Sequence, residues 1–396
     1  MAGLCWLDVA GFMLLVQMLL VQMLVVQRNP MLCRTLRLLQ AAVVIPLVFG
    51  MALPVAAQQR PVNPVGLDQD GTIHMPGLTV PVSGFLSPDG KAYMAEHLNQ
   101  LRNPAMSGQT NGVPNLLVGY LERERQLYPV TREDASIGGV HAYVYTPANG
   151  IADKHRDKVL INLHGGGFSG CWAGCAELES IPIAALGRIK VISLDYRESP
   201  QYKFPAASED VAAAYAALLK TYQPQNIGIY GCSAGGMLTG MAVAWFQQHQ
   251  LPRPGAIGLL CAGAAPTDAS FGGDANYFTM SLGEGRMPQP APAGAISGGG
   301  MAYLAGTDPH DPLVAPTSDP AVLAKFPPTM IVSATRGFDL SNAVYTHIQL
   351  SKQNVPAELY VWEGMFHGFF YNPDVPESRE CFDFVIKFFD KWLGKS

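Results

Sequence analysis

The sequence predicts an α/β fold, a mostly parallel central sheet flanked by helices, and three observations carry that prediction. From Val140 to the C-terminus, short strand-like runs alternate with helical patterns. The apolar run Ile227 to Tyr230 passes through the tight turn Gly231-Cys232-Ser233-Ala234-Gly235-Gly236 into helix-compatible residues, Met237 to Gln248. A second run, Lys158 to Leu163, ends in His164-Gly165-Gly166-Gly167-Phe168. Strands that alternate with helices imply parallel pairing, with both sheet faces covered.

The elements follow in order. Residues Leu14 to Gln27 repeat Leu-Leu-Val-Gln-Met and match no fold. After them, Arg34 and Arg37 precede the apolar stretch Leu38 to Leu53 and the small residues Val55-Ala56-Ala57. This is the pattern of a secretory signal peptide cut after about Ala57, and its rival is an uncleaved membrane anchor formed from Met13 to Leu53. A polar, proline-rich arm runs from Gln58 to about Gly77. Ser87 then caps a helix with Pro88 in its first turn, and Ala92, Ala95, Leu98 and Leu101 recur at helical spacing. Val140 to Tyr145 alternates as a strand does. Further strands are expected at Val159 to Leu163, Val191 to Leu194, Ile227 to Tyr230, Ile257 to Cys261, Thr329 to Ser333 and Ala357 to Trp362. Val211, Ala214, Tyr215, Leu218 and Tyr222 mark one intervening helix. Phe382, Val385, Ile386, Phe389 and Leu393 mark the terminal one. Asp268 to about Tyr303, rich in glycine and proline, breaks the rhythm and reads as an insertion.

Composition narrows the function. The chain of 396 residues is 48% hydrophobic, enough for a large core, so its 31 prolines and 41 glycines indicate loops rather than disorder. A net charge of −5 with dispersed basic residues excludes a nucleic-acid footprint. Of seven cysteines, Cys5 and Cys33 precede the cleavage site. Cys171 and Cys175 are either a local disulfide of an oxidising compartment or two free small residues. Cys232 packs as a small hydrophobe beside Ser233.

The motifs carry chemistry. A serine on a strained strand-to-helix turn has its hydroxyl exposed, and the glycines around it avoid collisions with the neighbouring strand. Successive glycines after a strand leave backbone N–H groups uncovered for a developing oxyanion, each worth roughly 2.7–4 kcal/mol of barrier. His367 sits in Glu363-Gly364-Met365-Phe366-His367-Gly368-Phe369, after the last strand and before the last helix, where a general base is useful. Serine, then acid, then histidine is the chain order of α/β-hydrolases.

With these residues placed, the chain resembles the hormone-sensitive-lipase-like bacterial esterases of the α/β-hydrolase superfamily. His164 to Phe168, Gly231 to Gly236, Asp195-Tyr196-Arg197 with Phe204-Pro205-Ala206-Ala207, and His367-Gly368-Phe369 carry the resemblance. It implies an α/β-hydrolase fold with a helical cap over the active site. It also implies Ser233 as nucleophile, His367 as base, and an oxyanion hole from the N–H groups of Gly166, Gly167 and Ala234. The expected organisation is an N-terminal extension and signal peptide over 1–57, an arm with cap helices over 58–135, and the catalytic domain over 136–396 with its cap insertion at about 268–303. Two positions depart from the family. Gln201 follows Pro200 where a glutamate is usual, and Gly337 stands where the family has its catalytic aspartate. The nearest carboxylate is Asp339, which either serves as the acid or merely caps the helix after it.

The implied activity is hydrolysis of short- to medium-chain acyl esters with no metal or organic cofactor. The alternatives are deacetylation of sugars or small acetyl esters, and a hydrolase-fold binding protein with a weakened site. The expected partner is a small-molecule ester, with no nucleic acid and no stable membrane association after signal cleavage. Family members pair at the sheet edge, so a homodimer is open to this chain. Asp308, His310 and Asp311 resemble a metal cluster but match a structural loop of the family. Tyr143 and Tyr145 read as core or rim. Met94, Phe278, Met280 and Met287 are candidates for the acyl pocket.

Overall fold

The computed structural model describes residues 66–69, 73–75, 78–106, 108–110, 112–267, 273–281 and 301–395. The expected signal peptide and most of the expected 268–303 insertion lie outside these residues. A small antiparallel sheet of β1 (Gly66–Leu67), β2 (Ile73–Met75) and β3 (Leu78–Val80) comes first. Helix α1 (Pro88–Leu101), a ribbon of β4 (Gln109–Thr110) and β5 (Val113–Pro114), and α2 (Val118–Leu127) follow. The main sheet takes β6 (Val130–Ile137), β7 (Val140–Pro147), β8 (Val159–Leu163), β9 (Lys190–Leu194) and β10 (Ile227–Cys232). It is completed by β11 (Ala256–Leu260), β12 (Thr329–Ala334) and β13 (Ala357–Trp362). Between and after these strands lie α3 (Trp172–Gly187), α4 (Ala206–Leu218), α5 (Ala234–Gln248), α6 (Asp274–Ser281), α7 (Pro320–Leu323), α8 (Leu340–Lys352) and α9 (Pro376–Trp392).

The eight strands are ordered β13-β12-β11-β10-β8-β9-β7-β6. The six from β13 to β9 pair in parallel, and β7 and β6 are antiparallel additions at one edge. Every residue of β8, β10, β11 and β12 is buried, as a sheet covered on both faces requires. Side chains alternate between the two faces. Leu160, Val191, Tyr230 and Met330 pack with Leu178, Ile181, Phe382 and Phe389 of α3 and α9. Ile161, Ile192, Ile229 and Ile331 pack with Val211, Leu238, Met241 and Ala343 of α4, α5 and α8.

Edge strand β6 was not expected. Thr131, Arg132, Glu133 and Asp134 are all exposed on it, so it lacks the apolar alternation of a half-buried strand and reads as loop. It also spans position 136, where the catalytic domain was expected to begin.

The cap of α1 ties this helix to α9. Ser87 Oγ accepts from Gly90 N at 2.9 Å, and Glu377 at the start of α9 accepts from Ser87 N at 2.7 Å and from Ser87 Oγ at 2.8 Å. Tyr93 and His97 of α1 are thereby held against Phe366 of the histidine loop.

Candidate active site

Ser233 is the turn between β10 and α5, with φ 58° and ψ −120°, a left-handed conformation that serine seldom adopts. Its neighbours explain how the turn is possible. A Cβ on Gly231 would lie 2.1 Å from Leu163 O, and one on Gly235 only 1.7 Å from the same atom. Side chains there would push β8 away from the turn, so both positions must be glycine. Cys232 is buried, and burial pushes its thiol well above the usual range, so it offers no nucleophile.

The second component comes from the ends of β12 and β13. Asp339 Oδ1 lies 2.7 Å from His367 Nδ1, and Ser333 Oγ donates to Asp339 Oδ2 at 2.6 Å. Asp339 is the N-cap residue of α8, but its side chain makes no capping bond. The capping alternative therefore falls. A Cβ on Gly337 would be 2.9 Å from Asp339 Oδ1, so the bare glycine leaves the space that the displaced carboxylate occupies. The histidine loop is pinned by Gly364 N to Thr335 Oγ1 at 2.7 Å and by Gly368 N to Cys261 Sγ at 3.2 Å. Phe338 stacks on the His367 ring at 4.3 Å.

The third component is the glycine loop after β8. Gly166 has φ 120°, and a Cβ there would lie 2.0 Å from Gly170 O. Among the described residues, the backbone N–H groups of Gly166, Gly167 and Ala234 make no hydrogen bond within the chain. These are the three donors that the family resemblance implies for an oxyanion hole. Ala234 is also the first residue of α5, whose N-terminal N–H groups have no helical partner. Cys171 and Cys175 form a disulfide just beyond this loop, which settles the alternative left by the sequence.

Ser233 and His367 border two cavities. The smaller, about 40 Å³, is walled by Gly167, Met237, Ala262, Met301, Phe338 and Asn342. The larger, about 630 Å³, runs beneath α1 past Tyr93, His97, Leu117, Phe366 and Tyr371. No hydrogen bond joins Ser233 Oγ to His367 among the described residues, and such bonds are commonly long before substrate arrives. Two pocket candidates are corrected: Met94 is fully buried in the apolar core, and Phe278 is exposed on a surface groove beside Val344, Tyr345 and Ile348. The side chains of Met280 and Met287 lie outside the described residues. Met237 and Phe338 had no signal beyond generic apolar character. In the 308–311 loop, Asp308 Oδ1 accepts from His310 N and Asp311 Oδ1 from Leu313 N, turn-forming bonds of a structural loop. Tyr145 is core, and Tyr143 is half-buried beside it.

Two buried titratable groups lie behind the glycine loop. His164 stacks on Tyr196, and its Nδ1 lies 2.7 Å from Gly165 O. Burial lowers its pKa to about 4. Burial raises the Glu179 carboxyl to about 7, against the pull of its hydrogen bonds. A histidine with a lowered folded pKa loses stability as pH falls from about 6.5 towards 4, because the unfolded chain takes up the proton first. A carboxyl with a raised folded pKa acts oppositely, losing stability as pH rises from about 4.5 towards 7. The two slopes oppose each other where their windows overlap. Glu179→Gln is therefore expected to make stability rise with pH more steeply than in wild type, by on the order of 1 kcal/mol per pH unit in that overlap. Urea unfolding of both proteins across the window checks this, and parallel curves would refute it.

Comparison with known proteins identifies the fold and the family. A family model described as the alpha/beta hydrolase fold matches residues 160–371. An acetyl-hydrolase of Streptomyces hygroscopicus is 29% identical over 271 residues, covering 65% of this chain and 84% of its own. The crystal structure of an esterase superposes with a TM-score of 0.65 at 30% identity, over 80% of this chain and 97% of that one. An esterase from the bacterial hormone-sensitive lipase family gives 0.62 at 26% identity, over 78% and 99% of the two chains.

Proposed function

Because this chain belongs to the α/β-hydrolase fold family, among the bacterial hormone-sensitive-lipase-like esterases, we propose that it is a serine carboxylesterase acting on short- to medium-chain acyl esters. The observation that supports this most is the convergence on one cavity wall of Ser233, the Asp339-held His367 and Gly167 of the glycine loop, whose N–H makes no hydrogen bond within the chain among the described residues.

In this reading, Ser233 Oγ attacks the ester carbonyl carbon while His367 Nε2 takes its proton. The carbonyl oxygen becomes an oxyanion facing the N–H groups of Gly166, Gly167 and Ala234. His367 then protonates the departing alkoxide as the carbon–oxygen bond breaks, leaving an acyl-enzyme. A water deprotonated by His367 attacks that acyl group, and the collapse returns the proton to Ser233 and frees the acid. Asp339 holds the imidazole tautomer and stabilises the imidazolium. No step requires a metal or an organic cofactor.

The small size of one cavity favours a second reading, deacetylation, in which the acetyl group enters that side and a bulky alcohol fills the larger one. The weakened-site reading rested on the displaced acid, and Asp339 bonded to His367 removes its motivation. The Cys171–Cys175 disulfide supports export to an oxidising compartment, as the N-terminal signal pattern suggests.

The test is a series of p-nitrophenyl esters from acetyl to palmitoyl. Short chains are expected to give the highest kcat/KM, with palmitoyl at least about 100-fold lower, each misplaced methylene costing about 1 kcal/mol or more. Acetyl preferred to butyryl by tenfold would select the deacetylase, and a palmitoyl optimum would refute both.

A further inference from the structure

The three components of the proposed site meet at one side chain that no step above uses. Glu179 of α3 is fully buried, and its carboxylate receives four donors. Oε1 accepts from Gly165 N at 2.8 Å and from Tyr371 Oη at 3.0 Å. Oε2 accepts from Asn162 Nδ2 at 2.9 Å and from Cys232 N at 3.1 Å. These donors belong to different parts of the site. Gly165 opens the glycine loop, Cys232 immediately precedes Ser233, and Tyr371 closes the segment after His367.

We propose that Glu179 is a positioning residue that clamps the glycine loop, the serine turn and the histidine segment to one another through this four-donor carboxylate. Each bond fixes a peptide plane or a loop next to a reacting group without touching substrate. The clamp is itself braced. Ser193 Oγ donates to Asn162 Oδ1 at 2.6 Å, turning the Asn162 amide nitrogen towards Glu179. Tyr196 Oη donates to His164 O at 2.6 Å, so the first peptide of the glycine loop is held at both its N–H and its C=O. A site whose donors must stay within a fraction of an ångström of the oxyanion needs such support from below.

Glutamine cannot replace this group. It has one acceptor oxygen, so its NH₂ must oppose a backbone N–H that cannot turn to accept, either Gly165 N, beside a Tyr371 hydroxyl that can, or Cys232 N together with Asn162 Nδ2. The loss falls on geometry needed in the transition state more than on substrate binding.

The inference rests on the esterase reading, and the experiment separates the two. In purified Glu179→Gln, kcat for p-nitrophenyl acetate is expected to fall about 100-fold while KM stays within about threefold. Amide hydrogen exchange at Gly165 and Cys232 is expected to accelerate at least tenfold, with the remaining sheet amides unchanged. Unchanged kcat and exchange, or a raised KM with kcat retained, would overturn the clamp. Exchange is read without any ester. A wild type that turns over nothing while Glu179→Gln still exchanges faster at these two amides would sink the esterase reading and leave the clamp standing. If Glu179→Gln does not fold, Tyr371→Phe decides. It keeps the ring and removes one donor, so a few-fold fall in kcat with faster exchange at Gly165 supports the clamp, and no change in either refutes it.

Discussion

Ser233→Ala is expected to lower kcat for p-nitrophenyl acetate by about 10⁴- to 10⁶-fold, to the level contributed by binding and oxyanion donors alone. The substitution removes only the hydroxyl, and alanine inherits the same left-handed backbone, φ 58°. Thermal stability should therefore change little, which separates loss of chemistry from loss of fold. A fluorophosphonate probe should label wild type and not the variant, since labelling requires an activated nucleophile. Activity within tenfold of wild type would mean that another group attacks the ester. Cys232, the adjacent thiol, is buried and held protonated, so no neighbour stands ready to take that role.

Removing the Asp339 carboxylate should produce the second largest effect, and its size depends on Ser333. An asparagine in the acid position of a triad can select the wrong histidine tautomer, at a cost of about 10⁴ in kcat. Here Ser333 Oγ sits 2.6 Å from Oδ2 and can accept as well as donate. The introduced amide could then direct its NH₂ to Ser333 and keep its oxygen on His367 Nδ1. Asp339→Asn is accordingly expected to lose about 10²- to 10⁴-fold in kcat, with Ser333→Ala added to it approaching the upper figure. Gly337→Ala probes the same space from the other side. Its Cβ would sit 2.9 Å from Asp339 Oδ1 and 3.1 Å from Ala334 O, so the carboxylate must shift from the position in which it meets His367 Nδ1. A fall in kcat of about tenfold without a change in KM is expected, as for a group displaced by a few tenths of an ångström. Full activity in Asp339→Asn would remove Asp339 from the mechanism.

What was legible in the sequence follows physical range. The strand at Ile227, the turn at Ser233 and the helix from Ala234 were readable because periodicity and the need for glycine act within a few residues. The N-cap at Ser87 was readable for the same reason, since the capping bond spans three residues. Strand β6 was not, because an exposed edge carries charge where the pattern looks for apolar side chains. Met94 and Phe278 were misplaced because apolar character alone does not say which surface a residue meets.

The sequence by itself determined the α/β alternation, the strained serine, the glycine loop and the position of His367, all set by local sterics and hydrogen-bonding chemistry. Only the tertiary structure decided that Asp339 rather than Gly337 supplies the carboxylate at His367, that Cys171 pairs with Cys175, and that Glu179 sits beneath all three components. The first and last of these outcomes depend on where the ends of β8, β10, β12 and β13 converge. Residues far apart in the chain meet there at distances of 2.7–3.1 Å, and no local pattern encodes such a meeting.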